Sequence, residues 1–376
     1  MILQNKIYHC SANIAIAGGG VKTYVNGLYA SMPDTFGADI IANPLDYDQS
    51  HFKLLHIHET SALEQVNNQC PVVFTAHNHD AYCASGTKYL SASKSSCDRA
   101  LSIWECTWGH LVDGCGSRRP DRIIKNWQRA SKEFKALKKF GVLTIANSDY
   151  VRSQLITTNG LPESQVITLR CGIANPTSDH FPLEKSVHEQ KRIFFAGRIV
   201  PDKGLDWLLR TMPMLDPHIQ LDIAGEGWAM PQVRQLAEDL QLRDRLTWHG
   251  WCQGEKLENL YRQCFAVIFP SVWPEPAGLV TLEAYARFRP IIASAAGGIP
   301  EHIQDGKTGI LVEPNNVQQL AAAIADLADD FDKSRRIGIA GNELFHEEFT
   351  LEIHAQRLSK IYDLAIAKFH QKNGST

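Results

Sequence analysis

Short apolar runs alternate along the chain with longer segments of mixed polarity. In the first half the runs are KIYHC, DIIANP, KLLHIHE, PVVFTAH, VLTIANS and QVITLRCG, and in the second half they are RIFFAGRI, IQLDIAGEG, RLTWHGW, FAVIFPS, RPIIAS and GILVEP. Runs of this kind, separated by segments long enough for crossover helices, are typical of buried parallel strands. The pattern therefore predicts an α/β chain with two tandem, doubly wound, Rossmann-like domains.

The pattern breaks once, between the two halves. The stretch ANPTSDHFPLEKSVHEQ, residues 174–190, is polar, contains two prolines and has no apolar period, which predicts a linker. We predict a first domain over 1–173, a second over 191–350, and a long amphipathic helix in 351–376 that can pack back on the first domain. Tandem domains of this type bind ligands in the cleft between them, at the carboxyl ends of the strands.

Composition and charge narrow the class of protein. The chain has 376 residues, of which 44% are apolar and 21% charged, and this is the balance of a globular protein with two ordinary domains. A formal net charge of -3 gives no global attraction to nucleic acid or anionic membranes. No apolar run approaches the ~20 residues of a membrane span, and the start MILQNKIYHC lacks the features of a signal peptide. We expect a cytoplasmic protein with no nucleic-acid partner.

Two glycine-rich motifs fail as nucleotide fingerprints. GGG at 18–20 follows a predicted strand, but the third glycine of a dinucleotide fingerprint would fall at Thr23. DGKTG at 305–309 resembles the end of a phosphate-binding P-loop, yet the first glycine would fall at Glu301 and the motif precedes a strand. A nicotinamide dehydrogenase and a P-loop nucleotidase are therefore disfavoured.

Two cations follow the first predicted strand of the second half. Arg198 and Lys203 lie in GRIVPDKG, bounded by Gly197 and Gly204. Because the carboxyl ends of parallel strands share one edge of a sheet, this loop should open beside AGEG at 224–227 and the PSVWPEPAGLVTLE segment that follows FAVIF. Two cations beside a helix start suit a diphosphate.

The segment EPAGLVTLE places two carboxylates on either side of that helix start. Gly278 lets the backbone approach a phosphate, and Glu283, further along the helix, is placed to accept hydrogen bonds from two ribose hydroxyls. Glu275, on the loop before the helix, would face the opposite end of the ligand. The further candidate donor-binding residues are Gly197, Gly225, Gly250, Ala277, Leu279 and Val280.

The chain resembles a retaining glycosyltransferase of the GT-B fold, family 4. The motifs GGGVKTYVNGLYA, GRIVPDKGLDWLL, IAGEG, LTWHGW, EPAGLVTLEA and GGIPEHIQDGKTGILVEPNN carry the resemblance, which covers nearly the whole chain. It implies transfer of a sugar from a UDP-, GDP- or ADP-linked donor to an acceptor hydroxyl, with retention at the anomeric carbon. It implies no required cofactor or metal, and a carbohydrate, lipid-linked or small-molecule acceptor, as in polysaccharide, glycolipid or other glycoconjugate synthesis.

The resemblance also implies roles for the candidate site residues of the second half. In that family the pair of glutamates separated by seven residues, here Glu275 and Glu283, contacts the donor sugar and the nucleoside respectively. The Arg/Lys pair, here Arg198 and Lys203, holds the diphosphate. We accordingly expect Arg198, Lys203 and Glu275 to act in catalysis.

In the first half, the resemblance implies that a glycine-rich loop containing Gly19 and Gly20 closes over donor and acceptor, and that His77 lies beside the transferring sugar. The sequence departs from the family pattern at Ala277, where members usually have an aromatic residue, and at 288–290, where FRP replaces Gly-x-Pro. Two alternatives therefore stay open. One is a GT-B sugar-nucleotide epimerase, and the other is a catalytically silent protein that binds sugar nucleotides.

The nine cysteines fall into two groups. Four lie in one short segment with thirteen, eight and eight residues between them, without the C-x2-C knuckle of most structural zinc sites. We interpret them as buried or free thiols holding less than stoichiometric zinc, with a zinc site as the alternative. The clustered group is Cys83, Cys97, Cys106 and Cys115, and the scattered group, interpreted as reduced thiols, is Cys10, Cys70, Cys171, Cys252 and Cys264.

The segment SRRPDRIIKNWQRASKEFKALKKFG contains nine basic residues against two acidic ones. Its apolar residues form one helical stripe, which can lie on an anionic membrane or pack against the first sheet. Packing is the favoured interpretation, with weak peripheral membrane contact through 118–139. The stripe consists of Ile123, Trp127, Ala130, Phe134 and Leu137.

Overall fold

The computed structural model describes residues 6–10, 24–25, 27–28, 37–41, 52–65 and 70–373. The loop with Gly19 and Gly20 lies outside the described residues. In chain order the strands are β1 (Lys6–Cys10), β2 (Gly37–Ile41), β3 (Phe52–Ile57), β4 (Val72–Ala76), β5 (Tyr89–Leu90), β6 (Ser95–Ser96), β7 (Leu143–Ala146), β8 (Val166–Thr168), β9 (Arg192–Ala196), β10 (Gln220–Ala224), β11 (Leu246–Gly250), β12 (Ala266–Phe269), β13 (Ile291–Ser294) and β14 (Ile310–Val312). Every predicted strand run overlaps one of these strands.

Helices separate most of these strands. Tyr24, Val25, Gly27 and Leu28 are helical. Several helix starts have a sequence cause, since Asn316 and Asp330 cap their helices through their side chains and Pro120 occupies a first-turn position. The α-helices are Ile103–Trp108, Pro120–Phe140, Asp149–Ser153, Lys185–His188, Leu205–Thr211, Met230–Asp239, Glu255–Gln263, Leu279–Tyr285, Val317–Asp329, Phe331–Leu344 and Leu351–Asn373.

The chain divides into two compact units. Unit 1 comprises Met1–Ser93, Cys97–Ala174 and Thr350–Thr376, and unit 2 comprises Asn175–Phe349 with Lys94–Ser96. Most of the stretch predicted as a linker therefore lies with unit 2, where it includes the helix Lys185–His188.

Unit 1 contains a six-stranded sheet in the order β2-β1-β3-β4-β7-β8, with every described pairing parallel. This is the flavodoxin-like arrangement, whose strand order reverses between β1 and β3. One face of the sheet packs on the helix Leu351–Asn373 through Leu358, Ile361 and Tyr362. The C-terminal helix is thus part of the core of unit 1.

Unit 2 contains a six-stranded parallel sheet in the order β11-β10-β9-β12-β13-β14. Its register is continuous across the centre, where Ile193 of β9 aligns with Leu221 of β10 and with Ala266 of β12. Counted within the unit, the order is the dinucleotide-binding order, and the switch point falls between β9 and β12. The segments that follow these two strands carry Arg198, Lys203, Glu275 and Glu283.

Candidate functional site

The candidate site of unit 2 forms where β9 and β12 end. All strands of this sheet are parallel, so the loops after β9, β10, β11 and β12 emerge at one edge. Gly204, which follows Lys203, has a φ of +71°, and a Cβ there would lie 1.9 Å from the carbonyl oxygen of Pro270. Glycine at this position therefore allows the loop after β9 to touch the loop after β12.

Lys203 is held in place by residues of the β12 loop. Its Nζ lies 2.5 Å from Oε1 of Glu275 and 4.3 Å from the centroid of the Trp273 ring, and its side chain is 13% exposed. The ion pair and the cation–π contact fix the ammonium group at the edge of the sheet. Because the ammonium has three N–H donors, Glu275 leaves donors for a second anion.

Glu275 is buried and anchored from two sides. Its Oε1 also accepts a hydrogen bond from the Ser271 hydroxyl at 2.8 Å, and its carbonyl oxygen accepts from the Gly298 N–H at 2.7 Å. From the sequence, Lys203 and Glu275 were expected at different parts of the ligand. The structure pairs them directly, so the position of the Glu275 carboxylate depends on the Lys203 ammonium.

Arg198 and the strand-end glycines complete this edge. The Arg198 side chain is exposed and makes no hydrogen bond or ion pair with any described residue. The backbone N–H of Gly197 donates to Ala224 at 3.0 Å, and that of Gly225 donates to Gly250 at 2.8 Å. Backbone hydrogen bonds therefore join the ends of β9, β10 and β11. The Arg198 guanidinium follows β9 and has no ion-pair partner among the described residues.

The helix Leu279–Tyr285 begins directly after Gly278, which has a left-handed φ of +64°. Ala277 is buried, and Leu279 and Val280 form the first turn, where backbone N–H groups lack intrahelical acceptors. Glu275 and Glu283 thus lie on opposite sides of the helix start.

Glu283 is half-buried in that helix. Its Oε2 accepts a hydrogen bond from the Tyr261 hydroxyl at 2.8 Å. Burial raises the pKa of this carboxyl, an effect opposed by Arg287 and by the Tyr261 hydrogen bond. The carboxylate retains lone pairs for further donors.

His77 of unit 1 follows β4 and belongs to a chain of imidazoles. Its Nε2 lies 2.9 Å from Nδ1 of His58, whose Nε2 lies 2.9 Å from Nδ1 of His9. Burial lowers the pKa of His9 to about 4, and burial together with the neighbouring His354 lowers the pKa of His77 to about 3. These rings are neutral at physiological pH, so they hold one another through directed hydrogen bonds.

Sequence reasoning singled out His77 and missed its partners His9, His56 and His58. The sequence does contain a signal for them, because the runs KIYHC, KLLHIHE and PVVFTAH each have a histidine near the end. The strands formed by these runs are neighbours in the sheet. Three of these rings place nitrogens within 4.8 Å of one another, as a metal site would require. However, both nitrogens of His56 are already engaged, by Tyr362 and Thr75 at 2.7 Å. The cluster is accordingly a hydrogen-bonded network.

The basic helix Pro120–Phe140 packs its apolar stripe inward. Ile123, Ala130 and Leu137 are buried, and Phe134 packs against the core of unit 1. This arrangement matches the favoured interpretation of the stripe and leaves the basic face exposed. Among the described residues, no helix is both long and apolar enough to cross a bilayer.

An exposed apolar stripe that the sequence analysis missed precedes this helix. Trp104 and Trp108 of the helix Ile103–Trp108 are 84% and 59% exposed, and Leu111 and Val112 of the following turn are also exposed. Trp104 precedes Trp108 by four residues, and Leu111 and Val112 follow Trp108 by three and four residues, spacings that place side chains on one helical face.

Comparisons with known proteins agree with this architecture. The family model for glycosyl transferases group 1 matches residues 178–344, somewhat less than half of the chain. The chain is 29% identical over 238 residues to an uncharacterized glycosyltransferase of Methanocaldococcus jannaschii, covering 60% of each chain. It is 30% identical over 180 residues to a GDP-mannose-dependent phosphatidylinositol monomannoside mannosyltransferase of Mycobacterium tuberculosis, covering 46% of this chain and 47% of that protein. The chain thus spans between about half and three fifths of these relatives.

Among solved structures, the Anabaena protein HepE in complex with UDP has a similar fold. The TM-score is 0.68 at 16% identity, covering 96% of this chain and 99% of the other. Together with the two parallel sheets, this likeness establishes a GT-B fold of the α/β class with two Rossmann-like units.

Proposed function

We propose that the protein is a retaining glycosyltransferase of family 4 that transfers a sugar from a nucleotide diphosphate donor to an acceptor hydroxyl. The observation that carries this proposal is the arrangement of Lys203, Glu275 and exposed Arg198 at the switch point of unit 2. This arrangement lies inside the segment that matches the glycosyl transferases group 1 model.

In the proposed reaction, Lys203 and Arg198 bind the diphosphate and stabilise the charge that develops as it departs. A fixed cation at a buried site stabilises such charge with little reorganisation, and each group of this kind contributes about 10²–10³ in rate. Lys203 is fixed in this way by Glu275 and Trp273. No divalent metal is required in this scheme, because the two side chains supply the positive charge.

The two glutamates contact different parts of the donor, the ribose and the sugar. Glu283 accepts hydrogen bonds from the ribose hydroxyls, with Tyr261 holding one of its oxygens in place. Glu275 contacts the donor sugar while it positions Lys203. Gly278 allows the phosphates to approach the backbone between them.

His77 of unit 1 is proposed to contact the transferring sugar. Its neutral ring, oriented by His58, can hydrogen-bond to a sugar hydroxyl without carrying a positive charge of its own. We propose this positioning role for His77, and not general acid–base catalysis, because burial keeps its pKa near 3.

The donor nucleotide is proposed to be linked to UDP, GDP or ADP. UDP is bound by HepE, and the mycobacterial relative is named for GDP-mannose. The acceptor is proposed to be a carbohydrate, a lipid-linked sugar or a small molecule. A lipid-linked acceptor is supported by the exposed Trp104 and Trp108 near the basic helix Pro120–Phe140, since aromatic and basic side chains together favour anionic membrane surfaces.

The experiment that tests the function is a binding and slow-hydrolysis panel of UDP-, GDP- and ADP-sugars. It uses the wild-type chain, Lys203→Ala and the matched control Lys307→Ala, whose lysine is exposed on a turn of the same unit. We expect one donor class to bind and hydrolyse, with hydrolysis lost in Lys203→Ala only. Epimerised sugar nucleotide without acceptor would favour an epimerase, and binding without turnover on any acceptor would favour a silent binding protein.

The membrane contact is tested separately by sedimentation with vesicles containing anionic phosphatidylglycerol. Trp104→Ser combined with Trp108→Ser should release the protein from the vesicles, whereas Trp228→Ser, an exposed tryptophan of unit 2, should not. Equal binding of all three proteins would remove the membrane proposal and leave the donor proposal unaffected.

A further inference from the structure

The four clustered cysteines of unit 1 line one small cavity. They come from four local elements: the turn after Tyr82, the residue after β6, the helix Ile103–Trp108 and the turn before Gly116. The cavity has a volume of about 20 Å³. This is room for a water molecule or one ion and far too little for a metabolite. The lining thiols belong to Cys83, Cys97, Cys106 and Cys115, and none of them forms a disulfide.

The segment around this cavity has little regular secondary structure. Its strands β5 and β6 have two residues each, and the helix Ile103–Trp108 contains no buried residue. The two tryptophans of that helix, Trp104 and Trp108, point to solvent and not into a core. Loop-rich modules without an adequate core are commonly held by disulfides or a structural metal. None of the four cysteines forms a disulfide.

The charged residues near the cavity also favour a negatively charged metal site. Lys88, which lines it, is 1% exposed, and its Nζ donates to the Arg99 carbonyl at 2.7 Å. No carboxylate of the described residues forms an ion pair with Lys88. The nearby Arg99 is paired with Asp113 at 2.6 Å. A buried ammonium without a counter-charge is costly, and four neutral thiols would supply none.

We propose that Cys83, Cys97, Cys106 and Cys115 bind one structural zinc ion as four thiolates. Four thiolates around Zn²⁺ carry a net charge of about -2, which gives Lys88 its missing counter-charge. Binding releases four thiol protons to solvent, and no electron transfer is involved. The sequence spacing of the four cysteines favours thiols without zinc, because it lacks the C-x2-C knuckle of most structural zinc sites. The fold nevertheless brings all four cysteines to the lining of one cavity.

The proposed metal has a local structural role. It would tie the turn after Tyr82 to the helix Ile103–Trp108 and so fix the exposed tryptophan stripe. The proposal concerns metal content and does not depend on the proposed transfer reaction.

The test uses the full-length protein purified without added metal or chelator. Elemental analysis should find about one zinc and no iron per chain in the wild-type protein, and less than about a fifth of that in Cys97→Ser and Cys106→Ser. Cys252→Ser, a buried cysteine of unit 2, is the matched control and should keep its zinc. Absence of zinc from the wild type, iron in its place, or zinc retained by both variants would overturn the proposal.

A second measurement covers variants that fail to fold. Treating the wild-type protein with a thiol-blocking mercurial should release one equivalent of zinc to a chromophoric chelator. Cobalt replacement should then give the intense sulfur-to-metal absorption of a four-thiolate site. His110 also lines the cavity, and its Nε2 has no hydrogen-bond partner among the described residues. Loss of metal in His110→Gln, or a cobalt spectrum of three sulfurs and one nitrogen, would refute the all-cysteine ligand set.

Discussion

The two units place different chemistry at the same edge of similar sheets. Unit 1 has neutral histidines where β1, β3 and β4 end, joined by hydrogen bonds from His9 through His58 to His77. Unit 2 has the charged pair Lys203–Glu275 where β9 and β12 end. A parallel Rossmann-like sheet therefore supplies the place for a site, and the side chains after its strands decide whether that site suits neutral hydroxyls or an anionic diphosphate.

The contrast extends to how each unit tolerates buried polar groups. Unit 1 keeps His9 neutral through burial, which lowers its pKa to about 4. Unit 2 keeps Glu258 charged: burial would raise its pKa, but hydrogen bonds from His180 and Arg287 outweigh burial and bring it to about 2. Arg287 contacts both carboxylate oxygens, at 2.6 and 2.7 Å. The histidine cluster of unit 1 is thus kept neutral, whereas the buried carboxylate of unit 2 is kept charged by its partners.

The largest expected effect comes from removing the cations of unit 2. Lys203→Ala and Arg198→Ala should each lower turnover by about 10²–10³, with a smaller loss of donor affinity, because both side chains act on charge that grows as the diphosphate leaves. Steady-state and single-turnover kinetics separate the two parameters, with Lys307→Ala as the control. Unchanged turnover in both variants would disprove the diphosphate assignment.

Acid should destabilise unit 1 before unit 2. Unfolded His9 takes a proton below its ordinary pKa of 6.5, whereas folded His9 does so only near 4. Its contribution is complete above pH 6.5 and is lost as the pH falls toward 4, by about 2 kcal/mol at pH 5. Glu258, with a lowered pKa, loses its contribution only below the ordinary carboxyl range, toward pH 2.

Hydrogen exchange of the two units at pH 7 and pH 5, corrected for the intrinsic rate, measures this difference. Peptides from β3 and β4 should lose protection at pH 5, and peptides from β9 and β12 should not. Equal loss in both sets would show that the histidine network does not set the acid response.

Glu283→Gln should weaken the binding of free nucleoside diphosphate by about 1.5–3 kcal/mol, since its bonds to ribose hydroxyls exist in ground and transition states alike. Glu275→Gln should leave that affinity nearly unchanged and instead reduce transfer and discrimination between donor sugars. Calorimetric titration of the nucleotide into both variants measures the two affinities. Equal losses would overturn the proposed division between the glutamates.

The smallest effect is expected from Tyr261→Phe. This change removes the hydroxyl that donates to Glu283 at 2.8 Å and keeps the buried ring. Nucleotide affinity should fall by about 0.5–1.5 kcal/mol, less than in Glu283→Gln, because the carboxylate stays but is no longer held. A loss larger than that of Glu283→Gln would assign the ribose contact to the tyrosine.

Local patterns predicted much of the fold and little of the contact geometry. Apolar runs bounded by turn residues predicted the strands, because strands buried on both faces of a parallel sheet consist mainly of apolar residues. The pairing of Lys203 with Glu275, the convergence of His9, His58 and His77, and the shared cysteine cavity depend on strand order and loop packing. These are long-range features, and the residues that meet carry no periodic signal.

The helix Leu351–Asn373 affects the order in which the two units can finish folding during synthesis. Its Tyr362 hydrogen-bonds to His56, and its apolar face closes the core of unit 1, although unit 2 is translated in between. At the ordinary pace of the ribosome, roughly 5–20 residues per second, the early strands wait many seconds for this partner. Unit 2, whose main segment Asn175–Phe349 is continuous, can fold during that interval. The half that begins first on the ribosome is therefore completed last.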